Sequence, residues 1–356
     1  MKKVLLWVVL GLVVVGLVLA GLGVLFLNRP LAPGLKLTPL AQAAASVAAP
    51  AVASTVTQVV SQVVTESAPV PSPRPTSTPP SANPTAPAKP ACGSGALTML
   101  LLGESSPQPG EQRGADAIRL LRIDFDRQGV TILSIPPGLW VKTSAIPGSD
   151  STSLTRAFYQ VKTTTSGSAR EAIQQATQVV AQALLDNFGF APNHYLAINE
   201  PVFVGLVNTL GGIEVNIPQR IDGSEEGRGV FEAGVQVLNG ERTLDYIRIT
   251  KPKDQPAADE WGRFKRQNQI IAALRNAITQ PENAAAMPSL VSQFYQLVVT
   301  DLSPARLLDL NCMIAAVGED ITMLQVGADM VTFDSQGHMI PDETKIRNLI
   351  ETSLNQ

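Results

Sequence analysis

Residues 4–27, VLLWVVLGLVVVGLVLAGLGVLFL, run without a single charged side chain. Only a bilayer suits such a stretch. A hydrocarbon core about 30 Å thick takes roughly 20 apolar residues at about 1.5 Å of rise each, and this run meets the requirement with a little tilt to spare. A cleaved signal peptide needs an apolar part of only about 7–15 residues, so residues 4–27 are expected to remain as a transmembrane helix. The Ala-rich patch from Ala41 to Ala45 is the feature that favours cleavage instead. Lys2, Lys3 and the amino terminus precede the run, and Arg29 and Lys36 follow it. That excess of positive charge places the tip, residues 1–3, in the cytoplasm and the rest outside. The expectation is therefore a single-pass protein of the cell membrane with an extracytoplasmic domain.

Residues 28–91 form the next unit. They are rich in Ala, Pro, Ser, Thr and Val and end in PVPSPRPTSTPPSANPTAPAKP. Such a composition cannot bury a core, and its prolines favour extended conformations, so a semi-stiff disordered linker is expected. A coil of this length spans roughly 40–50 Å, which would let the domain at residues 92–356 hover over the lipid or press against it. That domain is long enough for one large core. Cys92 and Cys312 lie near its two ends; an oxidising compartment is compatible with a bond between them, and two buried thiols are the other reading.

The domain reads as strands at 97–102, 117–125 and 130–135, a helix at 169–188, and strands at 195–198, 213–217 and 244–249. Helices are expected at 201–210, 262–279, 288–299, 304–317 and 342–354, with a strand at 321–326. Strands and helices alternate without strict order, which predicts an α/β or α+β fold with helices covering a mixed central sheet.

Familiar catalytic sets are absent. The two histidines, His194 and His338, stand beside predicted turns, which leaves little for a triad with a histidine base. There is no G-x-S-x-G, no P-loop and no paired-cysteine zinc spacing. The 27 Lys and Arg against 30 Asp and Glu lack the basic excess that a nucleic-acid partner demands. The densest signal is EWGRFKRQ, Glu260 to Gln267, at a predicted helix start. Arg263 and Arg266 are three apart and share a helical face, where a helix N-terminus adds unpaired N–H groups; the pattern suits a phosphate, and a solvated basic face is the plainer alternative. Arg248, in LDYIRITK, is a second basic site on a predicted strand. Glu104 follows the first strand, and Arg113 and Asp116 lie at the start of the second. Carboxylates beside arginines at strand ends could hold Mg2+ against a diphosphate, although an Asp at a strand start is commonly a turn or cap residue.

Taken in order, TMLLLG, RGADAIRLLRID, ILSIPPGLWV, LVNTLGGIEVNIP, LNGERTLDYIR, GRFKRQNQ and TDLSPARLLDL resemble the LytR-CpsA-Psr family of cell-envelope proteins over essentially the whole exported part. The resemblance implies an enzyme that transfers a glycopolymer from a polyprenyl-pyrophosphate carrier to peptidoglycan or another envelope polymer through a phosphodiester. It also implies a lipid tail in an apolar pocket between sheet and helices, a pyrophosphate gripped by arginines, and Mg2+ bound by aspartates. Arg248, Arg263, Arg266 and Gln267 match the family pattern and would bind phosphate, with Arg113 beside them. Asp116, Arg263 and Arg266 would carry catalysis, and Asp116 and Glu104 would hold Mg2+.

The chain departs from that pattern at several points. Glu260 replaces an aspartate, and the first strand ends Gly103-Glu104-Ser105 where the family has Gly-Ser-Asp. Gly114 takes an arginine position and Ala117 a threonine position. Ile135-Pro136-Pro137-Gly138 stands for Ile-Pro-Arg-Asp, and Thr250 replaces an arginine. Losing one positioned donor costs about 10²- to 10³-fold in comparable sites. Two readings follow: a transferase with a weakened or relocated active site, or a non-catalytic binder of a polyprenyl phosphate or envelope polymer with the same fold.

Overall fold

The computed structural model describes residues 92–354, apart from 106–113, 144–147, 149, 255–259 and 319. The expected tip, the transmembrane run 4–27, the linker 28–91 and Arg113 lie outside the described residues, as does the side chain of Glu260. Among the described residues, no helix is long and apolar enough to cross a membrane.

The chain enters through β1 (Ala96–Glu104), β2 (Ala115–Asp124) and β3 (Gly129–Ile135), then a small hairpin of β4 (Trp140–Lys142) and β5 (Ser151–Ser153). Two helices follow, α1 (Leu154–Thr164) and α2 (Ala169–Phe188), before β6 (His194–Asn199), α3 (Glu200–Thr209) and β7 (Ile213–Ile217). The short pair β8 (Ile221–Asp222) and β9 (Val230–Phe231) precedes β10 (Gly234–Leu238), α4 (Gly240–Arg248), α5 (Glu260–Thr279) and α6 (Pro281–Tyr295). The last elements are β11 (Val299–Thr300), α7 (Pro304–Val317), β12 (Ile321–Gln325), the hairpin β13 (Val331–Phe333) with β14 (Met339–Pro341), and α8 (Glu343–Leu354).

The central sheet has the order β11-β6-β1-β2-β3-β12. β1 runs parallel to β6 and β3 parallel to β12, while the remaining neighbours are antiparallel, so the sheet is mixed as expected. Alternation along β1 explains why the strand is apolar throughout. Leu100 and Leu102 enter the core beneath α1, α2 and α8, whereas Leu97 and Met99 enter a second core with Met313 and Val317 of α7. Burial on both faces removes the need for polar residues. At the start of α2, Ser168 accepts from the Glu171 backbone N–H at 3.2 Å while the Glu171 carboxylate accepts from the Ser168 N–H at 2.8 Å, and Gly189 closes the helix at φ 74°. Cys92 and Cys312 form a disulfide with Cα atoms 5.4 Å apart, joining the entry to β1 with α7.

Three expectations need correction. Residues 244–249 are helix through Arg248, not strand. Asn239 caps α4 by accepting from the Arg242 N–H at 2.9 Å, and the helix begins at Gly240, before the β-branched stretch that suggested extension. The helix expected at 288–299 begins instead at Pro281, a residue pre-set for a first turn, and carries Pro288 inside it. The stretch 154–164, with two threonines at its end, was not expected to be helical at all, yet α1 covers Gly114 and pairs Lys162 with Glu104.

Candidate functional site

Between one face of the sheet and helices α3, α4 and α5 lies a cavity of about 200 Å³. Its polarity is graded along the strands. Ile270, Ile271 and Leu274 of α5, Leu244 and Ile247 of α4, and Phe203 of α3 wall one part with hydrocarbon. The end reached by the C-terminal residues of β1 and the first turns of α5 is lined by Glu104, Ser105, Asp116, Arg119, Glu200, Arg248, Arg263 and Gln267. A strand terminus and a helix start therefore deliver most of the polar groups to one place.

Asp116 reaches the cavity through an irregularity. Gly103 pairs with Ala117 and Glu104 with Ala115, leaving Asp116 as the extra residue of a bulge. Strict alternation would send Asp116 and Ala117 to opposite faces; the bulge re-aims the strand so that both line the cavity. The carboxylate accepts from Nη2 of Arg248 at 3.4 Å, and the same nitrogen bonds Glu200. Arg248, the last residue of α4, thus bridges two carboxylates, each of the three side chains being mostly buried. Glu104 accepts from Lys162 of α1.

Arg263 and Arg266 diverge despite their spacing. Arg263, 2 % exposed, lines the cavity. Arg266 does not: its Nε donates to the Tyr246 carbonyl at 3.0 Å and its Nη2 to the Ile249 carbonyl, so it clasps the end of α4 on either side of Arg248. Burial pushes the nearby Tyr246 phenol up to about 12, and its hydroxyl donates to Gln269 Oε1 at 2.8 Å. Gln267 is a cavity residue that orients another, accepting from Arg119 Nη2 at 2.7 Å.

Arg119 was not singled out from the sequence. It is 2 % exposed, opposite Leu101 across β1 and β2, with its guanidinium 5.8 Å from the centre of the Phe264 ring. The legible signal was a cation at a position whose alternation partners, Leu121 and Ile123, face a core. Glu200 and Lys162 also went unnoticed, since nothing local in the sequence shows that Glu200 lines the cavity or that Lys162 pairs with Glu104.

The departures from the family pattern have physical forms. A Cβ on Gly114 would lie 2.7 Å from the backbone nitrogen of Tyr159 and 2.8 Å from its Cα, so α1 leaves no room for any side chain there. Pro136 to Leu139 form a turn in which the Pro137 carbonyl accepts from the Thr155 N–H at 2.9 Å, and neither Pro137 nor Gly138 lines the cavity. Thr250 is held by Glu226, which accepts from its hydroxyl at 2.9 Å. Among the described residues no group of three or more His, Cys, Asp or Glu is gathered for a metal ion. Glu104 and Asp116 are hard oxygen donors on one cavity wall, the one or two carboxylates that Mg2+ takes when phosphate oxygens and water complete its shell; the donor chemistry fits on that condition.

The LytR_cpsA_psr family model matches residues 59–354. The chain is similar to the "Polyisoprenyl-teichoic acid--peptidoglycan teichoic acid transferase TagV" of Bacillus subtilis, 24% identical over 212 residues covering 58% of this chain and 50% of that protein. It thus spans about half the length of that relative. A TagU transferase of Halalkalibacterium halodurans is 22% identical over 251 residues, 70% of this chain and 75% of the relative. Among solved structures, that of B. subtilis TagV superposes with a TM-score of 0.58 at 19% identity, covering 74% of this chain and 98% of the other. The LytR-Csp2A-Psr enzyme from Actinomyces oris gives 0.55 at 21%, covering 74% and 90%. These likenesses establish a shared fold.

Proposed function

This chain belongs to the LytR_cpsA_psr family, and from that premise we propose that it transfers a glycopolymer from a polyprenyl-pyrophosphate carrier to peptidoglycan or another envelope acceptor. The observation that carries this reading is a hydrocarbon-walled cavity closed at one end by Arg119, Arg248 and Arg263. An amphiphile with a charged head and a prenyl tail matches that gradient; a soluble sugar phosphate has no use for Ile270, Ile271 and Leu274.

The acceptor hydroxyl would attack the phosphorus that bears the glycan. The new O–P bond forms as the bond to the bridging oxygen breaks, and prenyl phosphate leaves with the electron pair. Such chemistry asks a protein mainly for positioning and charge neutralisation. Arg119 and Arg263, buried and always charged, offer planar forks to phosphate oxygens. Asp116, a carboxylate of the cavity wall, would accept the acceptor's proton, with Arg248 fixing its orientation. Mg2+, held by Asp116 and Glu104 with phosphate oxygens, would neutralise charge on the diphosphate. Arg266 positions Arg248 and touches no ligand. The apolar run 4–27 supports anchoring in the membrane that houses the lipid.

The Pro137-Gly138 turn favours the second reading, a binder without transfer. One assay separates the two: the full chain in detergent with a lipid-pyrophosphate-linked glycan, peptidoglycan and Mg2+. Glycan appearing on the wall polymer is the expected result, and tight lipid binding without transfer overturns the transferase.

A further inference from the structure

Ser105 follows β1 and lines the cavity, and its hydroxyl, on a residue 3 % exposed, has no hydrogen-bond partner among the described residues. A buried donor left in that state calls for an explanation. Its backbone N–H donates to Gly114 O at 3.1 Å, so Ser105 stands directly across from the glycine that α1 covers. Thr155 Oγ1 accepts from the Gly114 N–H at 3.1 Å, and Phe158 and Tyr159 close over the Gly114 Cα. Lys162 falls at the next helical spacing of that same face, and its ammonium lies on Glu104, the neighbour of Ser105.

These groups are ordered along the strands. Arg119 stands opposite Leu101, Asp116 bulges between Gly103 and Glu104, and Ser105 ends the series. At about 3.3 Å per residue, Ser105 is roughly 13 Å beyond Leu101 on the side away from the apolar walls. A diphosphate lying head outward would meet the guanidinium groups first and Ser105 last.

We propose that Lys162 and Ser105 form a subsite for the distal phosphate of a prenyl diphosphate, with α1 supplying the cation that its own backbone excludes from position 114. The inference rests on the cavity being a lipid-diphosphate site. The ammonium neutralises the outer phosphate while keeping Glu104, and the hydroxyl donates the hydrogen bond it lacks.

The test is titration of the full chain in detergent micelles, with a metal chelator present, using farnesyl diphosphate, farnesyl monophosphate and farnesol. The unaltered chain should bind the diphosphate most tightly. Lys162→Met should weaken the diphosphate about tenfold, the weight of one hydrogen bond to a charged group, and leave the monophosphate and farnesol unchanged. Lys162→Arg should retain the preference. Glu104→Gln with Lys162→Met should also lose it, which removes the effect of stranding Glu104. If Lys162→Met keeps the preference while Arg263→Ala weakens both phosphates, the subsite is wrong and the cavity reading stands. Equal weakening of all three ligands by Lys162→Met makes the lysine structural and overturns the proposal. A chain that binds none of them, or all alike, overturns both.

Discussion

Arg266→Ala separates holding the site together from touching the ligand. Arg266 is 5 % exposed, and its guanidinium satisfies the carbonyls of Tyr246 and Ile249 at the end of α4, where a helix leaves its last carbonyls without internal partners. Each hydrogen bond from a charged group contributes about 1.5–3 kcal/mol, so losing both should cost roughly 3–5 kcal/mol after partial rehydration. For a domain of this size that is on the order of 10 °C in Tm. Lysine at 266 keeps the charge but not the fork, and should recover only part of it. Arg263→Ala should do the reverse, lowering prenyl diphosphate affinity far more than Tm. Thermal unfolding followed by circular dichroism, with diphosphate titration on each variant below its transition, reads both quantities. An Arg266→Ala chain that melts with the unaltered one yet loses ligand as Arg263→Ala does would refute this division of labour.

Gly114→Ala should lower the denaturant midpoint by the equivalent of about 1–3 kcal/mol, the usual range for overpacking, because the added Cβ meets the Phe158 ring at 2.7 Å and the Tyr159 backbone of α1 at 2.7–2.8 Å; Gly114→Arg should not restore a lost activity. Hydrogen bonds from Ser168, Ser224 and the His338 backbone hold the carboxyls of Glu171, Asp222 and Asp334 below their ordinary values. Depressed folded-state values mean the stabilisation is present above about pH 4 and lost as pH falls through the folded values. Melting temperature should therefore fall from pH 5 towards pH 3, less steeply in Asp334→Asn.

Local pattern made β1, β2, β3, α2 and α7 legible, because each is set by alternation, a capping box or a proline start that nearby residues define. α4 was misread because Tyr246 and Ile247, with Ile249 just beyond the helix, suit a strand, and the decision lay with Asn239 and with Leu244 and Ile247 facing the cavity. Half of the EWGRFKRQ signal held its expected place: spacing put Arg263 and Arg266 on one face, but that face spans both the cavity and the end of α4, and only tertiary contact assigns each. The one-residue offsets near Glu104 and Gly114 were visible; the bulge that gives Asp116 its direction was not, since a register shift belongs to two strands at once.

The Cys92–Cys312 bond also decides where force goes. In a chain tethered to a membrane as proposed, any pull arrives at Cys92, four residues before β1, the strand that ends in Glu104 and Ser105. The disulfide hands part of that pull sideways to α7 across 220 residues of sequence, so β1 does not carry the load alone. Drag on a bound polymer or thermal motion of the lipid sheet would then be spread over the second core, in which Cys92 packs with Met313 and Val317 of α7. Reduction would reroute the tension along β1 and into the bulge at Asp116.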